Sequence, residues 1–107
     1  MAWLLLAVAI ATEVIGTIAL KLSDGMTHVG WTIIMAIGYV ASVIVLARAL
    51  KLDLPVGVAY AIWAGTGTAG IAIAGTALFG EPMNLIKAAG IVLIIAGVAV
   101  LNLSGAQ

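Results

Sequence analysis

A single carboxylate, Glu13, stands near the middle of an apolar stretch that runs from Ala2 to Leu20. An ionised carboxylate at bilayer depth is costly, so such a group must face protein or water, or hold a proton. Burial disfavours its charged form. A carboxyl placed this way exchanges protons and, once ionised, attracts a cation. The alternative is a structural glutamate that only hydrogen-bonds. The chain offers no charged partner at comparable depth, which favours the functional role. Residues at helical spacing from Glu13 are Leu6, Ala9, Ile10, Gly16 and Thr17, mostly small. Small side chains let a helix or a ligand come close. For Ala9 alone, ordinary helix packing is the better account.

Aromatic residues offer the second half of a cation site. Tyr60 and Trp63 are three apart on one helical face, and Tyr39 lies near the centre of its own apolar block. Ring faces around a carboxylate hold a lipophilic cation with about 2 kcal/mol or more per desolvated contact. Without Glu13, such aromatics would read as packing. Two glycine patterns accompany them. Gly65, Gly67 and Gly70 fall midway along the third block, where they weaken a helix and permit a kink. Gly90 and Gly97, with Ala89 and Ala96 beside them, form a small-residue seam in the fourth block that suits helix–helix contact.

The elements that must carry these residues follow from composition. Hydrophobic residues make up 65% of the 107 and charged ones 7%, and the mean hydropathy is +1.36. A soluble domain needs roughly a quarter of its residues charged. This chain is a membrane protein by composition, and its length suits four helices of ~20 residues. Charges and turn residues cut it into four blocks, predicting helices over about residues 2–21, 29–48, 55–79 and 85–104 in one transmembrane domain. The blocks are continuously apolar rather than alternating, so they read better as helices than as barrel strands. Pro55 sits where the third helix begins, and Trp3 and Trp31 lie near helix ends, where interfacial aromatics sit. Ala9-Ile10-Ala11 resembles a signal-peptidase site, but no basic residue precedes it and the apolar run continues past Glu13, so the segment reads as a retained helix.

Four basic and four acidic residues leave the net charge at zero, so no nucleic-acid partner is expected. No cysteine is present, and neither a metal site nor an enzyme active site is expected. Short loops make neighbouring helices antiparallel. Arg48 and Lys51 then fall on one side of the membrane, Lys21 and Lys87 on the other. Two against two gives the positive-inside rule almost nothing to act on, so the chain either takes its orientation from another signal or inserts both ways.

These residues resemble the small multidrug resistance family over nearly the whole chain. The resemblance is carried by Thr12-Glu13-Val14-Ile15-Gly16-Thr17, Leu20-Lys21-Leu22-Ser23-Asp24-Gly25, the run Pro55-Val56-Gly57-Val58-Ala59-Tyr60-Ala61-Ile62-Trp63, and Gly90-Ile91-Val92-Leu93-Ile94-Ile95-Ala96-Gly97-Val98. It implies an all-α, four-helix protein forming an antiparallel, dual-topology homodimer in the bacterial inner membrane. Two copies of Glu13 would bind protons and cationic substrate in competition, coupling proton entry to export, with protons as the coupling ion and no other cofactor. Tyr39, Tyr60 and Trp63 would surround the substrate, with Leu6, Ala9, Ile10, Gly16 and Thr17 lining the carboxylate. Gly65 and Gly67 would act as the hinge, and the Gly90–Gly97 seam would hold the dimer.

Within this family, guanidinium exporters typically carry a Trp three residues after the glutamate and multidrug exporters a Gly. Gly16 therefore implies larger aromatic or quaternary ammonium cations, with space left beside the carboxylate. Ala64 departs from the Ser usual after the Trp of the third helix, and the loop before Pro55 is one residue longer than in typical multidrug members. Other readings are a guanidinium exporter of the same family and a structural or regulatory membrane subunit. A proton-carrying subunit of a rotary ATPase fits less well, because such subunits place the carboxylate on a later helix. Balanced loop charges argue against half of a heterodimer.

Overall fold

A computed structural model describes residues 1–105. The helices are α1 (Ala2–Leu22), α2 (Val29–Lys51), α3 (Val56–Phe79) and α4 (Leu85–Gly105). All four are long and apolar enough to cross a membrane, and no strand occurs among the described residues. Helices are the natural outcome for such blocks, because lipid cannot satisfy backbone polar groups and a helix satisfies its own. The chain forms two compact units, one over residues 1–54 and the other from Pro55 onward. α2 continues past the expected end at 48 to include Lys51, so that Arg48 and Lys51 occupy its last turn. Cations there complement the helix dipole. Pro55 caps α3 from outside, one residue before its first helical position.

In the first unit the connection between helices is organised by Ser23, which is buried. Its hydroxyl donates to Leu20 O at 2.6 Å and accepts from Met26 N at 3.1 Å. Its carbonyl accepts from Thr27 N and His28 N at 2.9 and 3.0 Å. The chain reverses through three successive left-handed residues, Asp24, Gly25 and Met26. α1 buries Leu6, Ala9, Gly16 and Ala19, and α2 buries Met35, Gly38, Ser42 and Ala49. Spacings of three, four and seven put each set on one helical face. The helices touch backbone to backbone. A Cβ on Gly38 would lie 2.9 Å from Thr12 O and 3.0 Å from Gly16 Cα. Next to this crossing, the buried Ser42 hydroxyl donates to Ala9 O at 2.7 Å.

In the second unit α3 is continuous through Gly65, Gly67 and Gly70. A Cβ on Gly65 would meet only side chains of α4, Val98 Cγ2 at 3.2 Å and Ile94 Cγ2 at 3.6 Å. α3 ends at Gly80, whose φ of 66° is the left-handed C-cap conformation that glycine adopts without steric cost. The N–H groups of Gly80 and Glu81 both donate back to Gly75 O, the latter at 3.2 Å, which satisfies one of the free carbonyls of the last turn. The Glu81 carboxylate lies over Gly75, where a side chain would otherwise project. Lys87 reaches across this turn to Thr76 Oγ1 at 3.2 Å and Pro82 O at 3.3 Å, with Glu81 Oε1 at 3.8 Å. Asn84 starts α4 by accepting Lys87 N on its side chain at 2.8 Å. This satisfies one of the free N–H groups of the first turn.

Candidate functional site

Glu13 projects from the middle of α1, two turns before its end. The residue is half-buried. Its Oε2 is sealed from solvent and has no hydrogen-bond partner. Its Oε1 lies 3.5 Å from Thr17 Oγ1, at the outer limit of a hydrogen bond. A buried polar atom without a partner costs roughly 1–3 kcal/mol, more when charged, so native structures rarely keep one without a role. The atom sits where a proton or a cation would satisfy it.

Thr17, one turn further along, also meets the Tyr39 hydroxyl at 2.8 Å. Tyr39 is held there by the crossing beneath it. A Cβ on Gly16 would lie 2.9 Å from Tyr39 Cδ1 and 3.0 Å from Cε1. The volume expected beside the carboxylate at Gly16 is therefore taken by the Tyr39 ring. The missing side chain makes a seat for an aromatic residue of α2. Glu13, Gly16, Thr17 and Tyr39 form one continuous constellation within the first unit.

The other candidates divide. Ile10 is half-buried on α1. Leu6 and Ala9, at 1% and 0% exposure, are fully enclosed, and Ala9 presents its carbonyl to Ser42. In this structure both serve packing. In the second unit Tyr60 and Trp63 form an edge-on pair, with ring centroids 5.6 Å apart and an interplanar angle of 61°, a favoured aromatic arrangement. Tyr60 is 59% exposed. Trp63 is half-buried, and its Nε1–H is enclosed without an acceptor. Ala64, beside it, is exposed. Gly67 is buried, whereas a Cβ on Gly90 or Gly97 would meet nothing within 4 Å. The α4 seam is thus open along its length.

Two residues at the heart of the first unit, Gly38 and Ser42, are absent from the sequence-derived site. Their separation of four, small residue to small residue, is the signal that marks a close helix approach. No group of three or more metal-ligating side chains occurs among the described residues.

Known proteins resemble this chain along most of its length. The pattern of the family described as Small Multidrug Resistance protein matches residues 1–94. The chain is 41% identical over 107 residues to the multidrug resistance protein mmr of Mycolicibacterium paratuberculosis, covering 100% of both chains. It is 43% identical over 104 residues to a guanidinium exporter of Yersinia pseudotuberculosis, covering 97% of this chain and 99% of that one. It is also 43% identical over 101 residues to the quaternary ammonium compound-resistance protein QacF of Klebsiella aerogenes, covering 94% and 91%. The chain belongs to the small multidrug resistance family, and it is a multi-pass bacterial membrane protein.

Proposed function

We propose that this exporter of the small multidrug resistance family expels lipophilic aromatic or quaternary ammonium cations across the inner membrane in exchange for protons. Glu13 is the shared acceptor. The observation that carries the reading is the enclosed, unpartnered Oε2 of Glu13 at the middle of a membrane-spanning helix. One carboxylate that takes either a proton or a cation, never both, is sufficient to couple the two flows. The family resemblance assigns the ring faces of Tyr39, Tyr60 and Trp63 to the cargo, and the edge-on pair of Tyr60 and Trp63 presents such faces. It assigns Gly65 and Gly67 to the hinge. The working unit in this reading is an antiparallel homodimer, supported by the even split of basic residues between the two sides and by the open Gly90–Gly97 seam of α4.

A second reading is favoured by a specific observation. Relatives with guanidinium exporter and quaternary ammonium resistance names are equally similar, at 43%. Overall identity therefore does not choose the cargo. Gly16 favours the larger cations by family resemblance, since guanidinium exporters carry Trp there. The deciding measurement is proton-driven uptake or current in proteoliposomes with tetraphenylphosphonium, methyl viologen and guanidinium in turn. Transport of the first two, abolished in Glu13→Gln, is the expected result. Transport of guanidinium alone establishes the second reading, and uphill transport by Glu13→Gln removes Glu13 from the mechanism. Transport of none of the three points to a structural or regulatory subunit.

A further inference from the structure

The Thr17 hydroxyl has one proton and three neighbours able to accept it. They are the Glu13 main-chain O at 3.1 Å, the Glu13 carboxylate Oε1 at 3.5 Å and the Tyr39 hydroxyl at 2.8 Å. The first is the backbone bond that any threonine in a helix can make. The other two make Thr17 the middle member of a chain linking α1 to α2. With the Gly16 seat fixing the Tyr39 ring, the phenol has little freedom to leave this chain. Its hydroxyl and that of Thr17 each donate and accept, so the chain can run in either direction.

We propose that Thr17 is a positioning residue that reports the protonation state of Glu13 to Tyr39 by reversing the direction of this chain. The inference rests on the reading of Glu13 as the proton acceptor. When the carboxylate is ionised, Tyr39 O–H donates to Thr17 Oγ1, and Thr17 O–H donates to Oε1. When Glu13 holds a proton, the acid O–H donates to Thr17 Oγ1, and Thr17 O–H donates to the Tyr39 oxygen. The Tyr39 proton then turns outward. Hydroxyls rotate and no proton travels along the chain, so the protonation balance is Glu13's alone. The consequence is a Tyr39 that offers a ring and an accepting oxygen in one state, and a ring with a free donor in the other. Of the remaining titratable groups on the two helices, Lys21 lies two turns beyond Glu13 on α1, and His28, Arg48 and Lys51 stand at the ends of α2. The connecting segments carry Asp24 and Asp53.

Infrared difference spectra of the full-length protein in lipid, taken between protonated and deprotonated states, test this directly. The Glu13 carboxyl band is identified by its loss in Glu13→Gln, and the Tyr39 ring–oxygen band by its loss in Tyr39→Phe. In the wild type both bands change together. In Thr17→Val, which keeps the shape and removes the hydroxyl, the Tyr39 signal should vanish. The Glu13 acid band should move to higher frequency as it loses its partner. Thr17→Ser should restore both signals. A Tyr39 signal that persists unchanged in Thr17→Val, or that Thr17→Ser fails to restore, overturns the proposal. If Glu13→Gln removes no band at all, the failure lies in the proton-acceptor reading itself.

Discussion

The two units of this chain are both pairs of apolar helices, yet they are joined by different means. In the first, α1 and α2 meet main chain to main chain at Gly16 and Gly38, and the buried hydroxyl of Ser42 donates to the carbonyl of Ala9. In the second, the nearest neighbours of Gly65 are the flexible ends of Val98 and Ile94. Only 6% of the α4 span is buried, against 22% for each of the other three. Helices in lipid gain nothing from hiding apolar surface, so association rests on close packing and interhelical hydrogen bonds. The first unit uses both within itself. The second leaves most of one helix unspent, and the candidate carboxylate resides in the tighter unit.

Substituting glycines one at a time should break or sharpen this contrast. The largest effect is expected for Gly38→Ala, because the new Cβ would strike main-chain atoms that cannot turn aside. A loss of about 1–3 kcal/mol, the usual range for overpacking, should appear as a lower midpoint in denaturant unfolding followed by circular dichroism. An unchanged midpoint would mean the crossing has room for a methyl group at Gly38. Gly16→Ala comes next. It should push the Tyr39 ring from its seat and weaken tetraphenylphosphonium binding about tenfold, a loss equivalent to ~1.4 kcal/mol, with a smaller change in unfolding midpoint. Equal affinity would detach Tyr39 from the cargo.

Gly65→Ala sits between the two regimes. The contact at 3.2 Å is with a side-chain methyl that can shift, and alanine gains roughly 0.5–1 kcal/mol over glycine in a helix interior. Stability should move by less than about 1 kcal/mol, while transport should slow if this glycine serves as a hinge. The smallest effect on folding belongs to Gly97→Ala, whose Cβ would meet nothing within 4 Å. The unfolding midpoint should hold or rise slightly, and any loss should appear instead in dimerisation measured by energy transfer between labelled copies. A clear fall in the unfolding midpoint would show that the seam is already occupied within the chain.

The four helices were legible because each apolar block is long and each break contains charges or turn residues. The crossing of α1 and α2 was not. A helix solvated by lipid is apolar on every side, so hydrophobicity does not reveal which face meets a neighbour. Small residues carry that information instead, and Gly38 and Ser42 were as visible as Gly90 and Gly97. What differed was their use, since the first pair is engaged within the chain and the second faces open space. Glu13 stood out because a charge at that depth needs a reason. The open volume expected at Gly16 is instead filled by the Tyr39 ring, which the sequence does not reveal because that ring comes from a residue 23 positions later.

Main-chain contact at Gly16 and Gly38 also has a mechanical meaning. Side chains at an interface act as bearings, since rotamer changes let one helix slide or roll on another. Where two backbones touch there is nothing to rotate. α1 and α2 should therefore travel through a transport cycle as a single stiff strut, with Glu13, Thr17 and Tyr39 mounted at fixed mutual distances. If Glu13 is the acceptor proposed above and must face each side of the membrane in turn, a strut of this kind can turn as a body without changing the immediate surroundings of the carboxylate. Compliance must then reside elsewhere in the chain, leaving the acceptor's own mounting unstrained from one end of the cycle to the other.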